Sequence, residues 1–174
     1  MKSTLFFSFF TIHFLFSQSD LENALNAYTL RSKGSIKNIA KPIHINSAIA
    51  FYNSALHKES SPEAAIGILK SYYFKGKYVL NDIEEKKVIF DKAVKLGIGF
   101  IDQYPNDAGI RYWYLTNLGS WAEVFGIIAA AREGFADIMK MNSEKIIDLD
   151  PEYKDGGGYF MLGVVHLRTP YIPF

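Results

Sequence analysis

The spacing of three prolines, together with the helical pattern that each one interrupts, most constrains what this chain can fold into. Pro62, Pro105 and Pro151 lie 43 and 46 residues apart, and each opens or closes a segment with apolar residues at helical spacing. A period of ~40–47 residues is typical of helical solenoids, because one pair of helices cannot bury its apolar face alone. The sequence therefore predicts an all-α protein built as a solenoid of helical hairpins.

Polar residues before the helical segments predict where the helices begin. Ser61, Asp82 and Asp107 each precede such a segment, and their side chains can accept hydrogen bonds from the free amides of a first helical turn. The run from Ser120 to Glu123 has the spacing of a capping box, which predicts a helix break near Gly119. No segment shows the sustained alternation of apolar and polar residues that is typical of strands.

Apolar residues at helical spacing predict the buried face of each helix. The helix expected from about residue 44 to His57 carries the stripe Ile45, Ala48, Ile49, Tyr52, Ala55 and Leu56. The helix after Pro62 is expected to bury Ile66, Leu69 and Tyr73, with Lys77 continuing the same face. The next helix is expected to bury Val88, Ile89, Ala93, Leu96 and Phe100. A short helix near the start carries Leu21, Ala24, Leu25 and Tyr28.

Composition excludes several classes of function. Nineteen basic and eighteen acidic residues leave a net charge of +1 without a Lys/Arg block, so nucleic acid is not the expected partner. Cysteine is absent, which excludes disulfides, thiol chemistry, Cys-ligated zinc and a lipoprotein anchor. His44, His57 and His166 are too scattered for a metal site, and no catalytic motif is present. Neither an enzyme nor a cofactor is expected.

The N-terminus has the pattern of a secretory signal peptide. Lys2 precedes a twelve-residue apolar run from Leu5 to Phe16, and the small residue Ser17 follows. The run is shorter than the ~20 residues needed to span a bilayer. We expect residues 1–17 to be the signal peptide, with cleavage after Ser17 or Ser19, and the protein to be periplasmic or secreted. An uncleaved membrane anchor and a buried apolar start remain the alternatives.

Three segments follow from these patterns. After the signal peptide, residues 18–42 are expected to form an N-terminal helix and a linker. Residues 43–174 are expected to form the helical domain. The domain stops in the apolar run Thr169 to Phe174, which lacks the polar final helix that a solenoid requires. We expect a chain truncated at its C-terminal end, and the alternative is that another subunit covers this end.

The helical pattern resembles the tetratricopeptide repeat. Ala93, Gly97 and Phe100 precede Pro105 by 12, 8 and 5 residues, which is the spacing of that repeat's second helix. After Pro151, the first-helix spacing is matched by Tyr159, Leu162, Gly163 and His166. The resemblance implies a tetratricopeptide-like helical hairpin solenoid, with small residues where paired helices touch.

A longer pattern is more specific. It consists of Tyr112-Trp113, Leu118 to Glu123, Ile147 to Pro151, Gly156 to Tyr159, Leu162-Gly163 and Thr169-Pro170. This pattern resembles the T component (TatT) family of tripartite ATP-independent periplasmic (TRAP) transporters, over roughly residues 45–174. The resemblance implies a periplasmic accessory protein that binds a TRAP-type substrate-binding protein, forms a homo-oligomer such as a trimer, and holds a small hydrophobic or organic-acid ligand. The alternative is a generic secreted scaffold of tetratricopeptide type that binds other proteins.

Aromatic residues are the main candidates for a ligand-binding site. Tyr112, Trp113, Tyr114, Trp121 and Phe125 lie within fourteen residues, around the predicted break, and cannot all face one core. A cavity wall or subunit interface is one interpretation, and core packing is the other. The predicted ligand-binding residues are Tyr112, Trp113, Trp121, Phe125, Tyr159, His166 and Arg168. A packed or hydrogen-bonded role remains the alternative for His166, and a surface or interface ion pair for Arg168, whose guanidinium could bind a carboxylate.

The acidic and glycine-rich segment after residue 147 is better explained as a turn. Counted from Asp148, the positions where a calcium loop needs Gly and Glu hold Tyr153 and Tyr159. Gly156 to Gly158 follow no strand and precede no Lys-Ser/Thr pair, which argues against a phosphate loop. We expect these glycines to allow a tight turn and a close approach of the next helix.

Overall fold

The computed structural model describes residues 20–58 and 60–168, and their regular secondary structure is helical. Helix α1 occupies residues 20–29 of the described chain. The other helices are α2 Pro42–Lys58, α3 Pro62–Tyr78, α4 Ile83–Gln103, α5 Ala108–Phe125, α6 Ile127–Arg132, α7 Phe135–Leu149 and α8 Gly157–Arg168. The all-α prediction is confirmed. The predicted signal peptide, its cleavage sites and the run from residue 169 to 174 lie outside the described residues.

The predicted helix starts are confirmed at the level of single hydrogen bonds. Ser61 Oγ, Asp82 Oδ1 and Asp107 Oδ1 each accept hydrogen bonds from backbone amides two or three residues further on, at 2.8–3.1 Å. Such bonds satisfy amides that have no partner within the helix, and each cap stabilises a helix by about 1 kcal/mol. Local chemistry therefore determines where α3, α4 and α5 begin.

The predicted helix break near Gly119 is wrong. Helix α5 runs without interruption to Phe125, and Gly126, with a φ of +94°, ends it. Ser120 Oγ donates a hydrogen bond to the Thr116 carbonyl at 3.0 Å instead of capping a new helix. A serine inside a helix can satisfy its hydroxyl in this way, so the capping-box spacing alone does not indicate a helix start.

The buried face of α2 agrees with the prediction at four of six positions, and the face of α3 differs more. In α2, Ile45, Ala48, Tyr52 and Ala55 are buried as predicted, whereas Ile49 and Leu56 are only half-buried. In α3, Ile66 and Tyr73 are only half-buried and Lys77 is exposed. The face that α3 buries instead contains Ala64, Ala65, Gly67, Ile68, Leu69, Ser71, Tyr72 and Gly76. Small residues let a neighbouring helix approach closely. A prediction based on the spacing of large apolar residues therefore misses them.

Two other predicted core positions are also wrong. Val88 at the start of α4 is 70% exposed, although Ile89, Ala93 and Phe100 on the same helix are buried as predicted and Leu96 is half-buried. Leu25 of α1 is exposed, whereas Ala24 and Ala27 are buried. In α1, too, small side chains rather than large ones form the buried face.

The chain divides into two compact units, residues 1–79 and residues 80–174. In the first unit α2 packs on α3, and Asp20 of α1 pairs with Lys58 and accepts a hydrogen bond from Ser54 of α2 at 2.8 Å. In the second unit α4 packs on α5, α5 on α7, and α7 on α8. Within each unit, the helices that pack together are therefore close neighbours along the chain.

Glycines allow the closest helix contacts within each unit. A Cβ on Gly97 of α4 would lie 2.6 Å from Tyr114 Cδ2 on α5, and a Cβ on Gly67 of α3 would come closer still to the Tyr52 ring on α2. Carbon atoms in contact prefer about 3.5–4.0 Å, so neither position has room for a side chain. The small residue expected where two helices touch is therefore present at Gly97.

Candidate functional site

The predicted site residues of α5 lie in two separate aromatic clusters of the second unit. The first cluster contains Tyr112, Trp113 and Tyr153. The Tyr112 ring lies 5.5 Å from the Trp113 ring and 5.5 Å from the Tyr153 ring. Burial raises the pKa of Tyr153. The sequence did not single out Tyr153 for this cluster, since its only local signal was an acidic segment.

A glycine turn holds the start of α8 against this cluster. Gly156 has a φ of +80°, and a Cβ on Gly157 would lie 2.6 Å from Tyr112 Cε2. The predicted role of these glycines in a tight turn and a close helix approach is confirmed. Tyr159 stands on the exposed side of the same turn, where a Cβ on Gly156 would lie 3.7 Å from its ring. Tyr112, Trp113 and Tyr159 thus surround one turn.

The second cluster contains Trp121, Phe125 and Phe135. Trp121 stacks on Phe125 with ring centroids 4.0 Å apart and an angle of 16°, and its ring lies 4.8 Å from Phe135 of α7. Trp121 is buried, whereas Phe125 is partly exposed. About two helical turns, or about 12 Å along α5, separate Trp121 from Trp113. The predicted aromatic residues of α5 therefore lie in two separate clusters and do not line one cavity wall.

Exposed apolar residues continue outward from Phe125 and form what we call the apolar corner: Phe125, Ile127 and Ile128. Ile127 and Ile128 of α6 are 63% and 68% exposed. Lys87 Nζ of α4 lies 5.7 Å from the centre of the Phe125 ring, so a charged group borders the corner. Exposed apolar patches on folded proteins mark sites of interaction. The sequence signal for this corner was weak, because it depends on the turn at Gly126.

The remaining predicted site residues lie on α8. His166 is exposed, so the packed role considered for it is wrong. Tyr159 is also exposed. The side chain of Arg168 is outside the described residues. The assignment of these residues to a ligand stays a prediction.

A polar network that the sequence did not indicate joins α5 to α7 near the first cluster. Arg111 donates to Asn142 Oδ1 at 2.6 Å, and to the Pro105 carbonyl through Nε at 3.2 Å and Nη2 at 2.7 Å. Asn142 is buried and donates to the Ile138 carbonyl at 2.9 Å. Burial lowers the pKa of Arg111. This network anchors the turn before α5 against α7.

Within residues 20–58 and 60–168, no helix combines the length and the apolar character needed to cross a membrane. No model of a protein family matches this sequence, and a search among curated proteins finds no match.

Proposed function

We propose that this protein is an exported accessory protein that acts by binding another protein, and that its partner is a TRAP-type periplasmic substrate-binding protein. The observation that carries the proposal is the apolar corner of the second unit. The identity of the partner rests on the resemblance to the T component family, whose most specific residues lie in the same unit.

The apolar corner has the composition of a protein-binding surface. Ile127 and Ile128 are adjacent and project from the turn after α5, and covering one such side chain fully contributes about 1.5–3 kcal/mol. Lys87 and Glu84 form an ion pair at 2.8 Å beside the corner, so charged groups border the apolar residues. Apolar residues at the centre and charged residues at the rim are typical of interfaces between proteins.

The binding experiment uses the purified protein and a TRAP-type substrate-binding protein from the same organism, with affinity measured by calorimetry. Ile128→Glu places a charge within the corner and is expected to weaken binding at least tenfold. Met141→Glu is the matched control, since Met141 of α7 is also an exposed apolar residue, 60% against 68% for Ile128. The proposal fails if the unmodified proteins do not bind, or if both variants weaken binding equally.

Export is tested separately. Cell fractionation should recover the protein outside the cytoplasm, and N-terminal sequencing should find a mature chain that begins at Gln18 or Asp20. A protein that stays in the cytoplasm with its first residues intact would overturn this part of the proposal.

Native mass spectrometry tests assembly and ligand together. The resemblance supports a homo-oligomer, with a trimer as the expected state, and a bound small hydrophobic or organic-acid molecule. A bare monomer at micromolar protein concentration would contradict both expectations, whatever the outcome of the partner experiment.

A further inference from the structure

The first unit carries a loop between α1 and α2, residues 31–41, that we call the basic loop. It contains Arg31, Lys33, Lys37 and Lys41 and no acidic residue. The acid-free stretch is longer than the loop, since no Asp or Glu occurs between Glu22 and Glu59. A segment of this length with one sign of charge creates a local positive potential that attracts anions.

The basic loop is attached to the first unit at both of its ends. At the first end, Arg31 donates to the Tyr28 carbonyl at 3.0 Å, and its guanidinium lies 4.2 Å from the Tyr28 ring and 5.4 Å from the Phe74 ring. At the other end, the amide of Ala40 donates to the Tyr78 carbonyl at 2.7 Å. The segment between these attachments therefore keeps a defined position on the unit.

The tip of the loop presents two isoleucines together. Ile36 and Ile39 exchange backbone hydrogen bonds at 3.0 and 3.1 Å, and Lys37 between them has a left-handed φ of +54°. Residues paired in this way in an antiparallel bridge place their side chains on the same face. Ile36 is 72% and Ile39 is 50% exposed. The tip is thus apolar, and the lysines around it are exposed.

Apolar and basic groups in one exposed segment fit the surface of an anionic membrane. The lysines can interact with lipid phosphates, while the isoleucines enter the boundary between headgroups and acyl chains. Single-stranded nucleic acid fits less well, because its bases need aromatic rings to stack on and residues 31–41 contain none. Ile43, at the start of α2, adds another exposed apolar side chain beside the loop.

The distribution of charge along the chain favours the same partner. After the predicted signal peptide, residues 18–79 carry eight basic and four acidic residues, whereas residues 80–174 carry ten basic and fourteen acidic ones. An anionic surface therefore attracts the first unit and repels the second.

We propose that the basic loop docks the first unit on an anionic lipid surface, with Ile36 and Ile39 inserted at the interface and Lys33 and Lys37 against the headgroup phosphates. This inference is independent of the partner protein proposed above, because the two surfaces belong to different units. The attachment is reversible, since it uses a few charges and two side chains rather than a membrane-spanning helix.

Vesicle co-sedimentation tests the proposal with the exported protein as purified. The vesicles contain either phosphatidylcholine alone or phosphatidylcholine and phosphatidylglycerol in equal parts. We expect binding to the anionic vesicles, less binding to the neutral ones, and a decrease with added salt because salt screens charges at a surface. Binding that is equal for both vesicles and insensitive to salt would overturn the proposal, as would an absence of binding.

Paired variants locate the binding surface. Lys33→Gln with Lys37→Gln should weaken binding to anionic vesicles about twenty-five-fold, at about fivefold per lysine. Lys92→Gln with Lys95→Gln on α4 makes the same change of charge in the second unit and should leave binding unchanged. Ile36→Ser with Ile39→Ser should also weaken binding, whereas Ile83→Ser with Ile98→Ser, at exposed positions of α4, should not.

All variants have the same N-terminal residues, so any contribution of those residues to vesicle binding cancels in each comparison. The altered side chains of the loop are exposed, and circular dichroism should show the same helical content in every variant. If the loop variants and their controls lose vesicle binding equally, the assignment of lipid binding to the basic loop is wrong. If the lysine pair instead abolishes self-association and leaves vesicle binding unchanged, the loop binds an acidic protein surface and the lipid proposal is wrong.

Discussion

Gly97 of α4 lies directly against Tyr114 of α5, so closely that a single added carbon would come within 2.6 Å of Tyr114 Cδ2. The first unit contains the same relationship between Gly67 and Tyr52. In both pairs a glycine on one helix receives a buried tyrosine ring from the helix packed against it. These contacts set how closely each pair of helices can pack.

Replacement of Gly97 by alanine tests this contact. Alanine is the better helix former by about 0.5–1 kcal/mol, but the added methyl group must displace the Tyr114 ring, and overpacking of a core costs about 1–3 kcal/mol. We expect Gly97→Ala to lower the free energy of unfolding in urea. Gly99→Ala is the control on the same helix, because nothing lies within 4 Å of its Cβ position, and it should raise stability. Equal stability of the two variants would contradict the proposed contact.

Gly119 tests the continuity of α5. It lies inside the helix, and nothing is found within 4 Å of a Cβ at that position. Gly119→Ala should therefore stabilise the protein by about 0.5–1 kcal/mol, as measured by urea denaturation. A loss of stability would instead support a break in the helix at this residue.

Arg111→Met tests the polar network between α5 and α7. The variant leaves the buried Asn142 Oδ1 without its Arg111 donor, and an unsatisfied buried polar group costs about 1–3 kcal/mol. Arg132→Met is the control, since Arg132 is exposed, and should change stability by about 0.5 kcal/mol or less. Equal effects in chemical denaturation would show that the network does not stabilise the unit.

The raised pKa of Tyr52 predicts that the protein becomes less stable at alkaline pH. Burial raises its pKa from 10.0 to about 12. Between these values the unfolded chain has lost the phenolic proton and the folded chain retains it, so the free energy of unfolding falls as pH rises. The contribution is fully present below pH 10. Tyr52→Phe should reduce the slope of stability against pH in this range, measured by urea denaturation, and an unchanged slope would exclude Tyr52 as its source.

The parts of the fold that depend on neighbouring residues were predictable. Ser61, Asp82 and Asp107 cap helices because each side chain reaches amides only two or three residues away. The face of α2 was also predictable, since Tyr52 and its apolar neighbours follow helical spacing. The face of α3 was not, because small residues such as Gly67 form it and their role appears only when a ring packs against them.

The candidate surfaces were predictable only in part. The sequence indicates Trp121 and Phe125 as candidate site residues, but their separation from Trp113 follows from the uninterrupted helix α5. The exposure of Ile127 and Ile128 was not predictable, because it depends on the turn at Gly126.

By itself, the sequence determined that the described chain is helical and where its main helices begin, because hydrogen bonds and apolar spacing within a few residues decide both. Tertiary structure alone decided which residues meet across helices. Arg111 and Asn142, or Tyr112 and Gly157, are more than thirty positions apart in the sequence. Their contacts depend on how closely whole helices approach, and that distance is a property of the packed unit.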